Sequence, residues 1–585
     1  MIKYVKRQSV IVICLLLIFM ITLKDLEVFN RIYVIGDEFG YWANASWAYG
    51  LDWSSVASVN PYYSFGYSLW LIPFFLIKDS VLMYKVAIVL NTLFMCITFA
   101  LVYDIAKMFM KKFSKNVLAI KSLSIVLYSN NVFSAGTTQC ESLLMLMYTL
   151  IFWLFCKYAQ RSKKIFLLLA TFASCYMFYV HMRSLGILMA ACMCSIIFLA
   201  IEKDWKKVLL LCSGVLIAFA SYNLLKDVII ANVYSNNEFV KVNDYSEQIN
   251  KVNAILSVEG VIKFVKSLLG KIFYLGTSTF FLFYWCVFYL IKKAYQFLII
   301  ARKREGITND YAVWLFAILS IGSTVCITVI SVLDPYRVDA VFYGRYNEML
   351  IVPILILGIM GIVECKYRWQ TLLGISAVQF ILAVFTYGVV QNSGVTKAYG
   401  NNMSVLSSMA WNQNGSYTYE YFTVVATIKA FLIILVFIIL LEFSNRKKVF
   451  LYIAFIELSL AWGYYGIQWT DNMIVEFQQN VSNNELVHLI KEKCDERGTK
   501  EVFGYVYNEE DTLVGLRFDF IQYLLPDYIV RLVEIESLND IEEDSYFVVD
   551  KASNINDLLR KKCQILYESQ NFYLMYRAIQ ESDKG

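Results

Sequence analysis

The sequence predicts a polytopic α-helical membrane protein of about thirteen transmembrane helices, followed by a small α/β domain on the outer side. Three observations lead there. Of the 585 residues 59% are hydrophobic and 17% charged, with a mean hydropathy of +0.55, whereas soluble domains are nearer half apolar and a quarter charged. The apolar residues come in runs close to the length that crosses a hydrocarbon core. The basic residues fall in every second loop, as they do when those loops face the cytoplasm. The net charge of +5 is small and scattered over short loops, so nucleic acid is not an implied partner.

The first apolar run, 10–23, follows Lys3, Lys6 and Arg7. Lys24-Asp25-Leu26-Glu27 follows it where a signal peptide would carry small residues, so it reads as an uncleaved span with a cytoplasmic N-terminus. Further spans are expected over 81–103, 117–135, 143–156, 165–180, 185–200, 208–225, 272–291, 311–333, 349–363, 369–390, 424–441 and 450–468. Basic clusters then occupy alternate loops: Lys107 to Lys115, Lys157 to Lys164, Lys203 to Lys207, Lys292 to Arg304, Lys366 to Arg368 and Arg446 to Lys448. This alternation puts the loop over 25–80 and the C-terminus outside. The outer segment 226–270 carries lysines of its own, but long segments cross regardless of charge. Its second half spaces Val252, Ile255, Val261, Ile262 and Val265 near the helical period. That suits an amphipathic helix on the outer surface, or a re-entrant segment.

Residues 1–469 thus form a membrane domain and 470–585 an outer one. In the latter, helices are expected over 481–494 and 555–563, strands over 501–507, 528–534 and 546–549, and a hairpin over 565–576. Most of the 13 cysteines lie singly in apolar runs, where Cys behaves as a small hydrophobe. Cys494 and Cys563 are in the outer domain and could pair in an oxidising compartment, although sequence gives no distance. With only 2 histidines, a multi-histidine metal site within one chain is excluded.

The unusual polar residues converge on the outer side, although some spans carry one of their own, such as Lys121 in the third. Asp37 and Glu38 stand in the first outer loop, followed by Trp42, Tyr62, Tyr63 and Tyr67. Glu141 is at the turn between the third and fourth spans, and His181 and Arg183 at the turn between the fifth and sixth. Asp334, Arg337, Asp339, Arg345 and Glu348 occupy a later outer turn. Charges at membrane borders are costly and tend to be functional or paired. Each has a structural reading as well. Arg183 can snorkel, Glu141 can cap its helix, His181 can be a packing residue, and Arg337 can pair with Asp334 or Asp339.

Four patches in order carry a resemblance. They are Asp37-Glu38, the stretch Tyr63-Ser64-Phe65-Gly66-Tyr67-Ser68-Leu69, Glu141-Ser142-Leu143 with Arg183, and Arg345-Tyr346 ahead of Pro353. Together they resemble the GT-C superfamily of polyprenyl-phosphate-sugar-dependent glycosyltransferases, near the protein mannosyltransferase, aminoarabinose transferase and Rgt-like branch. Ser184 departs from the pattern, where relatives often have Pro, and the first loop lacks a DxD motif. The resemblance implies a polyprenyl-phosphate-linked sugar donor, an extracytoplasmic acceptor glycan, lipid or protein, and a plasma-membrane location. It implies no certain cofactor, with a divalent metal left open. Asp37 is then the expected base, with Glu38 orienting the acceptor or holding Asp37. Arg183 and Arg345 would bind the donor phosphate. Glu141, His181 and Arg337 are expected near the substrates, with Trp42, Tyr62, Tyr63 and Tyr67 packing on sugar rings.

Two rival functions fit the same composition. A lipid-linked polysaccharide polymerase or ligase would use outer-loop arginines without a carboxylate pair in the first loop. A transporter or flippase would place its ionisable groups near mid-bilayer. The sequence shows no internal repeat and only 5 prolines, few for a fold of broken helices. A membrane scaffold without catalysis is a further possibility.

Overall fold

Long apolar runs satisfy their backbone groups internally only as helices, and the chain follows that rule. The computed structural model describes residues 2–33, 36–234, 253, 255–302, 308–331, 333, 341–392, 421–480, 484–505, 518–533, 544–551 and 562–577. Its main helices, in chain order, are α1 (Ile2–Thr22), α2 (Asp37–Tyr49), α3 (Ser80–Phe109), α4 (Lys115–Val126), α5 (Ser129–Ala135), α6 (Glu141–Arg161), α7 (Ile165–Val180) and α8 (Leu185–Ile201). They continue with α9 (Trp205–Ile229), α10 (Val258–Ser278), α11 (Leu282–Arg302), α12 (Asp310–Ser331), α13 (Ile351–Glu364), α14 (Arg368–Gln391), α15 (Ala426–Ser444) and α16 (Val449–Thr470).

Among the described residues nine helices are long and apolar enough to cross a membrane, or up to eleven if each of two bent pairs is one span. α7 and the Ser9–Thr22 part of α1 are shorter apolar helices. Every expected run falls on one of these elements, but thirteen crossings requires that both bent pairs and both short helices cross. The longest, α3, is started by Asp79, whose carboxylate accepts from the amides of Val81 and Leu82 at 2.8 and 3.0 Å, as an N-cap should. α6 lies in the interior against α3, α7 and α12.

Both bends alter what the apolar pattern suggests. The run 117–135 divides into α4 and α5, which meet at 67°. Its polar residues explain the break. Ser129 donates to the carbonyl of Trp462 at 3.1 Å and Asn131 to that of Val126 at 3.0 Å, so the run buries hydrogen-bonding groups that a straight span would leave unmatched. The second bend overturns the expected start of a span at residue 272. The amphipathic stretch from Val258 onward and the head of that span are one helix, α10, which turns by 109° into α11. The turn runs through Phe280 and Phe281, both in the left-handed region at φ 48° and 66°. Val258, Val261, Ile262 and Val265 are exposed along the first half of α10, while its second half, from Gly270 to Ser278, is mostly buried. Likewise the outer segment expected from 226 begins inside helix, because α9 runs to Ile229.

The C-terminal part contains α17 (Glu476–Asn480), α18 (Asn484–Arg497) and α19 (Phe518–Leu524), with strands β1 (Glu501–Tyr505), β2 (Ile529–Val533), β3 (Ser545–Asp550), β4 (Gln564–Glu568) and β5 (Phe572–Arg577). The sheet order is β2-β1-β3-β5-β4, with β1 parallel to β2 and β3, and β5 antiparallel to β3 and β4. The helix expected over 555–563 falls almost wholly outside the described residues. Cys494 and Cys563 are both buried and free.

No composition boundary separates this part physically, because the helix that begins at Val449 continues to Gln478. α19, which the sequence did not announce, docks the sheet onto the first loop. Asp519 accepts from the amide of Gly36 at 2.9 Å and from the Asn60 side chain at 3.0 Å. Trp53 donates to the carbonyl of Pro526 at 3.0 Å. Arg31 lies between the rings of Phe477 and Phe520, 4.9 and 4.8 Å from their centroids.

Two predictions follow from this arrangement. In a chain cleared of native cysteines, a cysteine at the exposed position of Asp52 is expected to react with an impermeant maleimide on intact cells. One at Lys112, exposed between α3 and α4, is expected to react only after permeabilisation; the opposite pattern inverts the topology. Burial pushes the Asp519 carboxyl well above the usual carboxylate range. The folded state therefore holds this proton longer than the unfolded chain, so its share of stability is present at acid pH and is lost as pH rises towards the folded value. The melting temperature of Asp519→Asn in detergent, minus that of wild type, is expected to grow as pH is raised from acid to neutral.

Candidate active site

The two adjacent carboxylates that open α2 part company at once. Glu38 turns inward and is fully buried. It accepts from the Tyr33 amide at 2.8 Å, the Tyr84 hydroxyl at 3.0 Å, and both the amide (2.6 Å) and the hydroxyl of Thr138. A buried carboxylate is tolerable only with such a set of donors. It ties the first loop to α3 and to the turn before α6. Asp37 turns the other way. One of its oxygens accepts from the Tyr63 hydroxyl at 2.5 Å, and the other pairs with Nη1 of Arg345 at 2.5 Å.

Arg345 begins a turn of 3-10 helix, Arg345–Leu350, ahead of α13. Each edge of its guanidinium meets a different side chain: Nε donates to Glu141 at 2.9 Å, Nη1 to Asp37, and Nη2 to Gln139 at 3.0 Å. The Glu141 oxygen that receives Arg345 also receives Nη2 of Arg183, at 2.9 Å. Glu141 is the first residue of α6, where the helix dipole favours a negative charge. The other oxygen of Glu141 and Nε of Arg183 are buried with no hydrogen-bond partner among the described residues. The ring of Tyr346 lies 5.7 Å from the Arg183 guanidinium.

The turn that carries Arg345 is clamped by α10. Lys271 donates to the carbonyl of Tyr343 at 2.6 Å. The hydroxyls of Tyr274 and Tyr128 both donate to Glu348, and Thr328 donates to Asn347 at 3.0 Å. Gly344 allows this clamp, since a Cβ there would sit 1.9–2.2 Å from the Tyr274 ring. Gly40 does the same beneath Asp37, where a Cβ would come within 2.0–2.8 Å of the Tyr63 ring.

Asp37, Glu141, Arg183 and Arg345 are therefore in one network, drawn from four distant stretches. Each of the last three stands at the start of an apolar segment whose far end runs into a basic loop. The network lies at the opposite edge, the one expected to face outward. Its depth is graded: Glu141 and Arg183 keep 4% and 3% of their side-chain surface, whereas Arg345 and Asp37 keep 21% and 26%. The open edge is the Asp37–Arg345 pair. A separate cleft, lined by Trp285, Tyr289, Lys292 and Glu364, lies on the side of the basic loops and holds none of these residues.

Other expected residues are placed differently. Trp42 is in the core, with its indole donating to Thr138 at 3.0 Å and its ring packed edge-on against Phe75 and Tyr523. Tyr62 is buried against Tyr234, and Tyr67 donates to Asn91 at 3.1 Å. These three rings are covered by protein, Trp42 by Phe75 and Tyr523, Tyr62 by Tyr234 and Tyr67 by Tyr41, and offer no open face to a sugar. Tyr63 reaches the site through its hydroxyl. His181 accepts the amide of Arg183 on Nδ1 at 3.2 Å, and burial, then the neighbouring Arg183 charge, push its pKa well below the usual value. It caps the turn as a neutral imidazole. Arg337, with Asp334 and Asp339, falls outside the described residues. Gln139 and Thr138 were not singled out in the sequence. Both lie in the turn before Glu141, whose ordinary polar composition carries no signal. Among the described residues no three His, Cys, Asp or Glu side chains are gathered to hold a metal.

No family model matches the sequence, and no curated protein matches it. Among solved structures the chain is similar to ArnT from Cupriavidus metallidurans bound to undecaprenyl phosphate, with a TM-score of 0.49 and 10% identity over 97% of this chain and 98% of that one. The apo state of the same protein gives a TM-score of 0.46 at 10% identity, covering 97% of each chain. The Archaeoglobus fulgidus oligosaccharyltransferase in its apo form gives 0.38 at 12% identity, over 99% of this chain and 75% of that one. Likenesses this distant carry no argument about chemistry, which has to be read from this chain's own residues.

The packing beneath Asp37 is testable by coupling. Gly40→Ala is expected to cost about 1–3 kcal/mol of stability by overpacking, and Tyr63→Phe about 1.5–3 kcal/mol for a hydrogen bond to a charged group. The double variant is expected to cost less than the sum, because the ring displaced by the new methyl has already lost its bond. Additive losses in denaturant melts would separate the two positions.

Proposed function

We propose that this chain is a membrane glycosyltransferase. It moves a sugar from a polyprenyl-phosphate donor to a hydroxyl of an extracytoplasmic acceptor, which is a cell-wall polymer, a glycolipid or a protein. The observation that carries this reading is the graded network: a partly open carboxylate, Asp37, beside two guanidinia, one of them buried, at one edge of the helical domain. The four sequence patches that resemble GT-C glycosyltransferases support the same reading, since all four contribute residues to this edge or to the loop beneath it.

The geometry supports the following roles. Arg345, on the open side, takes the donor phosphate through charge-assisted hydrogen bonds, and Arg183 adds positive potential from behind. Glu141 fixes both guanidinia through one oxygen and so sets their spacing. Asp37 is the base. The acceptor hydroxyl gives its proton to Asp37 as its oxygen bonds to the anomeric carbon. The bond from that carbon to the phosphate oxygen breaks, and its electron pair leaves with the polyprenyl phosphate. The guanidinia stabilise the charge that builds on the phosphate. One displacement inverts the anomeric centre. Glu38 acts by holding the loop, since its oxygens are already occupied by backbone and hydroxyl donors. The network's place at helix ends, away from mid-bilayer, fits transfer better than transport. On this reading the chain lies in the plasma membrane with a cytoplasmic N-terminus and an extracytoplasmic C-terminal domain.

Asp37→Asn is expected to abolish release of polyprenyl phosphate from a panel of polyprenyl-phosphate sugars while leaving membrane insertion intact and lowering the melting temperature no more than Tyr63→Phe does. Retained transfer in that variant would remove Asp37 from the base role. Loss of insertion in the same variant would show a structural role in its place.

A further inference from the structure

Taking the proposed activity as its premise, the geometry points to an ordered device within the same site: Asp37 and the donor phosphate compete for one edge of Arg345, so that the donor must bind before the base is available. In the structure both oxygens of Asp37 are engaged, one by the Tyr63 hydroxyl and the other by Nη1 of Arg345. Each oxygen keeps a second lone pair, so what the Arg345 contact withholds is the freedom of Asp37 to turn towards a third group. The remaining edges of Arg345 are turned towards Glu141 and Gln139, both buried. Nη1 is the edge at the open side of the network, and it is the edge that Asp37 covers.

Charge balance gives the same order. The two guanidinia and the two carboxylates of the network cancel. Among these four described side chains a phosphodiester finds no cation without a carboxylate partner unless one carboxylate lets go. Glu141 is nearly without surface and is held by both arginines, so it does not yield. Asp37 is the more exposed and is held by one. Once the phosphate has taken Nη1, Asp37 keeps Tyr63, gains a free lone pair, and stands next to a new negative charge. Donor binding therefore releases the base. Without the donor, the acceptor meets a base still paired with Arg345, which limits wasteful activation of a hydroxyl.

The competition has a signature in binding that needs neither the sugar nor the acceptor. The probe is undecaprenyl phosphate titrated into the full-length chain in phosphatidylcholine nanodiscs. Asp37→Asn, which removes the competing charge and keeps the shape, is expected to bind the probe about tenfold more tightly than wild type, the scale of one charge-assisted hydrogen bond. Arg345→Gln is expected to lose the binding. Unchanged or weaker affinity in Asp37→Asn, with binding still lost in Arg345→Gln, overturns the competition and leaves the proposed activity standing. A wild-type chain that does not bind the probe overturns the proposed donor itself. On wild type, where no variant has to fold, carbodiimide-driven coupling of an amine to Asp37, read by mass spectrometry, is expected to rise several-fold when the probe is bound. Coupling that stays level or falls overturns the inference.

Discussion

The site depends on one shared oxygen. Glu141 presents a single buried acceptor to the guanidinia of Arg183 and Arg345, at 2.9 Å each. Two cations brought that close repel strongly in a medium of low polarity. The carboxylate between them is what makes their proximity stable, and the N-terminus of α6 helps keep that carboxylate charged. Buried ion pairs are weak stabilisers against an apolar alternative, and removing one partner is costly because the other is left buried and unpaired. A network of this kind is therefore better explained by a task than by stability. Its useful product is a fixed arrangement of positive charge that faces outward only at Arg345.

The surroundings serve that arrangement from both sides. On one side α10 clamps the Arg345 turn through Lys271 and Tyr274, with Gly344 permitting the close approach. On the other, Glu38 and Asp519 hold the two ends of the loop turn that carries Asp37. Glu38 gathers donors from the loop, α3 and the Thr138 turn, and Asp519 caps Gly36 from the C-terminal part. The C-terminal sheet thus reaches the site indirectly, through α19, and the last long helix passes into it without a break. Neighbouring acids in sequence have opposite fates because successive side chains at a helix start point in different directions. One faces a set of donors and becomes structural, and the other faces a cation at the open edge.

Much of the fold was legible in the sequence for a plain reason. In a bilayer a span must satisfy its own backbone groups, as a helix does, and its lipid-facing side must be apolar, so a long apolar run marks the element. The basic loops add sidedness because charge is costly to move across. Legibility failed where local polarity was balanced by distant partners. The kink at Tyr128 is held by contacts with α16, and Phe280 and Phe281 at the reversal pack on rings of α16 and α15, while the apolar pattern runs straight through both. α19 escaped notice because its seven residues, from Phe518 to Leu524, are too few to show a period. The aromatic residues misled for a related reason. Trp42, Tyr62 and Tyr67 have the chemistry of sugar platforms, but ring chemistry does not say which face another element will cover.

The sequence by itself determined that the chain is helical and membrane-borne, where its apolar segments run, and that Asp37, Glu141, Arg183 and Arg345 belong to one edge of them. These follow from hydropathy, charge placement and order, all of which are local properties. Only the tertiary structure decided that those four side chains touch, that Glu141 bridges the two arginines, that Asp37 and not Glu38 meets Arg345, and that Gln139 completes the guanidinium. Such facts rest on distances of about 3 Å between residues far apart in the chain, and hydrogen bonds of that length are set by how helices pack, which no stretch of sequence read alone contains.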